Sequence, residues 1–140
     1  MYTTRITRSL QENPGARMVR TAVFMEEQGY KNEFDDHDAE AVHLCIYDGK
    51  EGIATARSYR NPEGVWVLGR VAVLRERRGQ RLGSRAVQEL EEYLHTLGAR
   101  EIELSAQLHA IKMYAALGYQ EEGGLLYDEG QPHKMMRKFL

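Results

Sequence analysis

Apolar residues change their spacing several times along the chain, and these changes predict alternating strands and helices. Stretches that alternate or are rich in β-branched residues predict strands, whereas apolar residues spaced by three and four predict helices. The predicted strands are residues 2–7, 43–47, 52–59, 65–74, 100–105, 119–127 and 134–139. The predicted helices are residues 14–28, 82–97 and 107–117. The order β-α-β-β-β-α-β-α-β-β favours an α/β fold in which helices flank a mixed sheet.

The helix over residues 82–97 has the most regular apolar period, and Gly98 directly after it is a typical C-terminal cap. Because this helix leads into strand 100–105, we expect that strand to be buried and parallel to an earlier one. Asp48-Gly49-Lys50 is a tight-turn sequence between two earlier strands, which predicts a hairpin. No linker divides the chain, so we predict a single domain over residues 1–140.

Composition narrows the class of protein without identifying its chemistry. The 140 residues carry 19 Lys and Arg against 21 Asp and Glu, so the formal net charge is -2. Such a balanced chain gives no electrostatic reason to expect a nucleic acid or a membrane surface as partner. Cys45 is the only cysteine, which excludes an internal disulfide and a cysteine-rich zinc cluster. The chain shows neither an apolar run of membrane-spanning length nor a signal-like N-terminus, so we expect a cytoplasmic protein.

The most concentrated chemistry lies between strand 65–74 and helix 82–97. Four arginines and two glycines follow one another there, although the chain as a whole is slightly acidic. Free N–H groups at the start of a helix, together with the helix dipole, form an anion site. Gly79 would let the chain turn and Gly83 would allow a ligand to approach closely. Two interpretations stay open on this pattern: a site for a pyrophosphate, or an ordinary loop with solvated arginines.

Two motifs together resemble the GNAT superfamily of acyl-CoA-dependent N-acyltransferases. One is the loop over residues 78–83 and the other is the Tyr-x-x-x-Gly-Tyr segment over residues 114–119. The similarity covers nearly the whole chain in the same element order. The loop keeps the Arg and the last Gly of an Arg-x-x-Gly-x-Gly pattern, but Arg81 replaces the middle glycine. An arginine N–H can still bond a phosphate there if its φ is negative. Other segments, including residues 23–28 and 130–135, resemble the ElaA-like branch.

The resemblance implies where the acyl donor, acetyl-CoA, would bind. Val71, Ala72 and Val73 would lie on a splayed strand against the pantetheine arm, and the Val73 N–H would stabilise the oxyanion. The residues whose backbone N–H groups would bind the pyrophosphate are Arg78, Gly79, Gln80, Arg81, Leu82, Gly83 and Ser84. Tyr114 would protonate or hydrogen-bond the coenzyme sulfur, whereas its spacing alone is more typical of a core tyrosine. Gln107 lies near the position where many relatives contact the pantetheine through an asparagine.

The acceptor side is less defined, because acidic residues and two histidines crowd residues 33–43. This stretch is a solvated loop, a metal site or an acidic rim that attracts an amine; its spacing fits neither calcium nor zinc, so we expect no metal. The candidate substrate-binding residues are Glu27, Asp36, His43, Arg57, Arg70 and His133. Arg57 and Arg70 fall within predicted strands, where a charge is seldom buried unpaired. They either pair with Glu27 or Asp36 or bind a carboxylate or phosphate on the acceptor.

The resemblance implies an enzyme that transfers an acetyl group from acetyl-CoA to a primary amine of a small molecule, by direct attack in a ternary complex. Two alternatives remain open. The donor could be a longer acyl chain, as in acyl-homoserine-lactone synthases, which the depth of the pocket beside Val73 would indicate. The domain could instead bind acyl-CoA without catalysis, in which case Tyr114→Phe would have no effect. Dimers are common among similar proteins, so a homodimer is a further expectation.

Overall fold

A computed structural model describes residues 1–140 as a seven-stranded sheet with helices on both faces. The strands are β1 (Tyr2–Thr7), β2 (Val42–Asp48), β3 (Glu51–Arg60), β4 (Trp66–Val73), β5 (Glu101–Gln107), β6 (Gln120–Asp128) and β7 (Gln131–Phe139). The α-helices are α1 (Pro14–Arg20), α2 (Leu82–Thr96) and α3 (Ile111–Ala116). None of them combines the length and the apolar character needed to span a membrane. The predicted α/β class with a mixed sheet is confirmed.

The sheet opens in its middle, between β4 and β5. The strand order is β1-β2-β3-β4-β5-β7-β6, and β4 and β5 form the one parallel pair. Their pairing runs only from Trp66↔Ile102 to Leu68↔Leu104, after which the two strands diverge. Close to this point β4 has an irregular register with β3, and Arg70 has a φ of 52°. The strand therefore leaves backbone groups unpaired on the side of β5.

Helix α2 covers one face of the sheet through the apolar stripe that the sequence predicts. Leu82, Ala86, Leu90 and Leu94 are buried and belong to a core cluster of 20 buried residues. Burying a leucine side chain contributes about 1.5–3 kcal/mol to folding. This packing fixes the first turn of α2 beside the end of β4.

Helix α1 covers the other face and approaches β3 unusually closely. A Cβ atom added to Gly52 would lie 2.6 Å from the Cα atom of Gly15, so glycine is required at the crossing. The Tyr47 hydroxyl accepts a hydrogen bond from the backbone N–H of Gly15 at 3.0 Å.

The predicted helix over residues 14–28 does not stay α-helical. It continues from α1 as a π-helix, Thr21–Glu27, with the Gln28 N–H bonded to the Val23 carbonyl oxygen at 3.0 Å. The Thr21 hydroxyl donates to the Arg17 carbonyl oxygen at 2.9 Å, a side-chain bond that competes with the backbone ladder. π-Helical turns are often found at functional sites.

Two further boundaries differ from the sequence prediction. The acidic stretch contains a short 3-10 helix, Asp36–Ala39, and another, Leu108–Ala110, precedes α3. Strand β7 begins at Gln131, three residues earlier than predicted. The hairpin of β6 and β7 is consequently longer, and Glu129 at its tip accepts hydrogen bonds from the N–H groups of Lys31 and Asn32.

Candidate active site

A groove of about 340 Å³ lies where β4 and β5 diverge, and we call it the β4 groove. It extends from the end of β4 to the first turn of α2. The predicted donor-binding residues that line it are Val71, Ala72, Val73, Arg78, Gly79, Arg81, Leu82, Gly83, Ser84 and Tyr114. Residues from the strand, the loop and α3 are thus brought together as the sequence motifs predict.

Two glutamines predicted for the same site are placed elsewhere. The Gln80 side chain accepts a hydrogen bond from the Tyr2 hydroxyl at 2.5 Å and does not line the groove. The Gln107 side-chain amide donates to the Gln28 side-chain oxygen at 2.8 Å, and Gln107 lines a neighbouring cavity instead. Both side chains are therefore engaged with other parts of the protein.

The edge of β4 supplies backbone donors to the groove. Leu74 donates its N–H to the Ile53 carbonyl oxygen at 3.0 Å, on the β3 side. Because successive residues of a strand direct their N–H groups to opposite edges, the N–H groups of Val71 and Val73 face the groove. No strand competes for them there, since β5 has already diverged.

Helix α2 begins at this groove with an open N-terminus. Its N-cap residue, Arg81, has φ 60° and ψ 28°, and no side chain caps the first turn. The condition of a negative φ at Arg81 is therefore not met. Arg81 adopts the left-handed conformation that glycine favours, so the loop keeps the backbone course of a glycine loop. The uncapped N–H groups and the dipole of α2 form an anion site.

Arg78 connects this loop to the π-helix. Its guanidinium donates to both carboxylate oxygens of Glu27, at 2.7 Å each, and its Nε donates to the Val73 carbonyl oxygen at 3.1 Å. The hydrogen bond from Arg78 holds the pKa of Glu27 below its usual value. Glu27 was expected to contact the acceptor, but its carboxylate is occupied here by an internal ion pair.

A second cavity of about 240 Å³ adjoins the β4 groove, and we call it the polar cavity. Three predicted acceptor residues line it: Arg57, Arg70 and His133. Four residues line both spaces, namely Val71, His109, Ala110 and Tyr114. The groove and the cavity therefore meet between the middle of β4 and the start of α3.

Tyr114 lies at this junction and is almost fully buried, with 6% of its surface exposed. Burial raises the pKa of its hydroxyl above the ordinary value, so the group stays protonated. Its ring also packs edge-on against Tyr119 in the core. Tyr114 is therefore both a core tyrosine and a residue that lines the candidate site.

Arginines and carboxylates form a partly buried network behind the polar cavity. Arg57 donates to Asp35 at 2.7 Å and to Asp38 at 3.0 Å. Arg70 lies 3.1 Å from Glu33 and 3.2 Å from Asp35. The prediction that Arg57 and Arg70 pair with Glu27 or Asp36 is wrong. The 3-10 helix is the reason, since its capping box turns Asp35 and Asp38 inward and leaves Asp36 exposed.

The fully buried Arg20 of α1 completes the network. It donates to Glu33 and to Asp38 at 2.7 Å each. Burial opposes ionisation of Asp38, yet its hydrogen bonds from Arg20 and from the Asp35 backbone lower the Asp38 pKa far below its usual value. For Glu33 the balance is reversed, because burial raises its pKa although Arg70 and Arg20 act against it.

His43 was expected near the acceptor, and the structure buries it beneath the network instead. It is 1% exposed, and its Nε2 lies 2.9 Å from the Asp38 carbonyl oxygen. Burial lowers the pKa of the imidazole, which favours a neutral ring that donates to this oxygen. His43 does not line the polar cavity, so its contacts are internal.

The polar cavity also contains residues that sequence reasoning did not select. They include Tyr30, Tyr59 and Asp128. Glu33 and His109 also line the cavity, and each had a local signal: Glu33 lies in the acidic stretch, and His109 lies near the start of the predicted helix over residues 107–117. The other three come from separate segments that the fold brings together, so no spacing along the chain could have found them.

Comparison with known proteins decides the family. The family model of the acetyltransferase (GNAT) family matches residues 8–119. The chain belongs to the GNAT family. The Bacillus subtilis protein YjcF, described as an uncharacterized N-acetyltransferase, is 31% identical over 137 residues, which cover 95% of this chain and 96% of YjcF.

Solved structures agree with this assignment. An acyl-CoA N-acyltransferase from Pseudomonas aeruginosa has a TM-score of 0.87 and 25% identity, with 99% of both chains covered. Escherichia coli ElaA has a TM-score of 0.86 and 24% identity over 99% of both chains, which shows a shared fold. The expected GNAT membership is confirmed, and ElaA is among the similar structures. GNAT acyltransferases use acyl-CoA donors.

Proposed function

We propose that this GNAT protein transfers an acetyl group from acetyl-CoA to the primary amine of a small-molecule acceptor. The observation that carries the proposal is the junction of the β4 groove with the polar cavity at Val71 and Tyr114. A donor in the groove and an amine in the cavity would face each other there. Direct attack in a ternary complex then needs no covalent enzyme intermediate.

The β4 groove fits the parts of the coenzyme in order. The N–H groups of Val71 and Val73 would bind the amide-rich pantetheine arm, as an adjacent strand would. The open N-terminus of α2 and the basic loop around Arg78 would bind the pyrophosphate. The coenzyme supplies a thioester, whose acyl carbon is open to attack by an amine.

The oxyanion donor is better assigned to Val71 than to Val73. Val73 was expected in this role, but it lines the groove alone, whereas Val71 lines both spaces. The acyl carbon must lie where donor and acceptor meet, so its developing negative charge would lie beside the Val71 N–H. An oriented backbone donor at that position stabilises the transition state.

Tyr114 is the proposed acid for the leaving sulfur. Its buried hydroxyl is protonated and lies at the junction, where it could donate to the coenzyme sulfur as the C–S bond breaks. The amine must lose a proton before or during attack. Asp128, His109 and His133 line the cavity and supply carboxylate and imidazole acceptors for that proton.

The lining of the polar cavity favours a short acyl group over a long one. An alkyl chain that extends past the junction would enter a space lined by Arg57, Arg70 and Glu33. Apolar chains gain little beside charged groups, and the charged groups would lose solvation. We therefore prefer acetyl transfer to the acyl-homoserine-lactone-synthase type of reaction.

Calorimetric titration with acetyl-CoA, followed by an assay of free thiol release with a panel of amines, tests the proposal. We expect Tyr114→Phe to bind acetyl-CoA within about threefold of the wild type and to lower kcat by about 10²-fold, the scale of general acid catalysis. Tyr93→Phe on α2 is the matched control and should match the wild type. Unchanged turnover in Tyr114→Phe would contradict the role of Tyr114. Failure of the wild type to bind acetyl-CoA would contradict the function itself.

A further inference from the structure

Two buried polar atoms of this protein have no hydrogen-bond partner, and both belong to residues that line the polar cavity. They are the Tyr30 hydroxyl and the Arg57 Nε. Tyr30 is 9% exposed and Arg57 is 5% exposed. Buried polar groups in folded proteins nearly always have partners, because an unpaired one destabilises the fold. Finding both exceptions in one cavity points to a ligand that pairs with them.

Both atoms are hydrogen-bond donors in fixed positions. Asp35 and Asp38 bind the Nη1 atom of Arg57 and so orient its guanidinium, which leaves the Nε unpaired. The Tyr30 ring packs edge-on against Phe24 with 6.4 Å between ring centroids. Burial, assisted by the negative charge of Asp128, raises the pKa of Tyr30, so its hydroxyl keeps its proton.

The ligand group that suits two such donors is a carboxylate. Ionised carboxylates accept several hydrogen bonds and are favoured partners of arginine. The same cavity is also lined by Asp128, whose carboxylate suits the positive charge of an amine. A small molecule that carries both an amine and a carboxylate would match both signs of charge.

The size of the cavity sets a limit on such a molecule. At about 240 Å³ the polar cavity exceeds the ~150 Å³ that accommodates benzene, which leaves room for roughly ten non-hydrogen atoms. This is the size of a common α-amino acid. A larger acceptor, such as a peptide, would place only one end in the cavity.

We infer that the acceptor is a small amine carrying a carboxylate, and that the Tyr30 hydroxyl and the Arg57 Nε bind this carboxylate. The inference rests on the proposed function for the reaction, in which the acceptor nitrogen bonds to the acyl carbon and the C–S bond breaks. The amine proton passes to a group in the cavity, and the departing sulfur takes a proton. The products are an N-acylated amino acid and the free thiol.

Matched acceptors test the carboxylate directly. Thiol release is measured at saturating acetyl-CoA with α-amino acids, their α-amides, the corresponding decarboxylated amines and short dipeptides. We expect kcat/KM to be at least tenfold higher for the carboxylate-bearing member of each set. The dipeptides distinguish a free amino acid from a chain terminus as the source of the carboxylate.

Tyr30→Phe removes the donor without changing the ring, and Tyr93→Phe on α2 is its matched control. A lost hydrogen bond to a charged group predicts a fall of about 10- to 100-fold in kcat/KM for amino acids. The decarboxylated amines should change by less than threefold. Because the variant also removes an unpaired buried hydroxyl, its Tm without ligand should equal or exceed that of the wild type.

A second readout, independent of turnover, is the increase in Tm that each acceptor produces without acetyl-CoA. If amides and decarboxylated amines react as well as amino acids, the inference is overturned while the proposed function stands. If amino acids stabilise the wild type but not Tyr30→Phe, and no thiol is released, the carboxylate site stands and the acetyl transfer does not. Equal effects of amino acids on both proteins would overturn the site.

Discussion

The β4 groove and the polar cavity meet at Tyr114, yet they are built in different ways. Two short stretches, residues 71–73 and 78–84, provide most of the groove, and many of its proposed binding groups are backbone N–H groups. The polar cavity is assembled from side chains of β3, β4, the segment after the π-helix and the hairpin of β6 and β7. Its charged side chains owe their orientation to ion pairs with residues farther back.

Because of this difference, substitutions in the two regions should affect ligand binding and the stability of the fold to different degrees. A backbone groove depends on space and on the course of the chain, so a substitution there should weaken the ligand more than the fold. A cavity held by buried ion pairs depends on charge balance, so a substitution there should weaken the fold first. Three variants test this contrast, and each has a control variant that should behave differently.

The largest effect is expected from Arg20→Ala behind the polar cavity. This substitution leaves the buried carboxylates of Glu33 and Asp38 without their main partner. Breaking a buried ion pair from one side costs about 3–5 kcal/mol in the free energy of unfolding, which urea denaturation measures. Arg17→Ala, at an exposed position on the same helix, should cost about 1 kcal/mol or less. Equal losses of unfolding free energy in the two variants would contradict the expected role of the buried ion pairs.

A smaller effect, directed at the ligand, is expected from Gly83→Val in the β4 groove. A Cβ atom at this position would lie 3.3 Å from the Met113 sulfur and 3.6 Å from a Val73 methyl group, and the valine methyls would extend farther. We expect calorimetry to show acetyl-CoA binding weakened by about 100-fold, equivalent to roughly 2.7 kcal/mol.

The control for Gly83→Val is Gly124→Val on β6, where an added Cβ would contact nothing within 4 Å. That variant should bind acetyl-CoA like the wild type. Urea denaturation of Gly83→Val should show a smaller loss of stability than Arg20→Ala. A folded Gly83→Val with wild-type affinity would show that the coenzyme does not use this groove.

The smallest effect is expected from Arg81→Gly. Arg81 holds a left-handed conformation, which costs a residue with a Cβ roughly 1–2 kcal/mol. The greater freedom of glycine in the unfolded chain offsets about 0.4–1 kcal/mol of this. The variant should therefore be more stable by about 1 kcal/mol or less. Because it removes a positive charge that lines the β4 groove, its affinity for acetyl-CoA should fall. Gly79→Ala at φ 88° in the same loop should be destabilised instead.

The sequence predicts best the features that depend on nearby residues. The period of α2, the parallel orientation of β5 to an earlier strand, and the loop at the start of α2 follow from local patterns, and the structure contains all three. The position of Tyr114 in the site could be predicted from its motif, because only a short connection separates α3 from β5.

Features that depend on distant partners could not be read from local patterns. Arg57 pairs with Asp35 and Asp38 and leaves Asp36 exposed, a choice made by one short 3-10 helix within an acidic stretch. His43 was expected to contact the acceptor, but the fold buries it beneath this network. The π-helix could not be predicted from the apolar spacing either, since its i→i+5 hydrogen bonds differ from those of an α-helix by only one residue.

The charge balance around Arg57 also bears on how this protein could evolve. Buried charges that neutralise one another are strongly coupled, so a change at Asp38 or Arg20 alone passes through a damaged intermediate. New acceptor preferences would then arise through paired changes within the network, or through single changes at Asp128 on the hairpin tip outside it. Descendants of this chain could thus alter their acceptor while the backbone proposed to hold the acyl donor stays as it is.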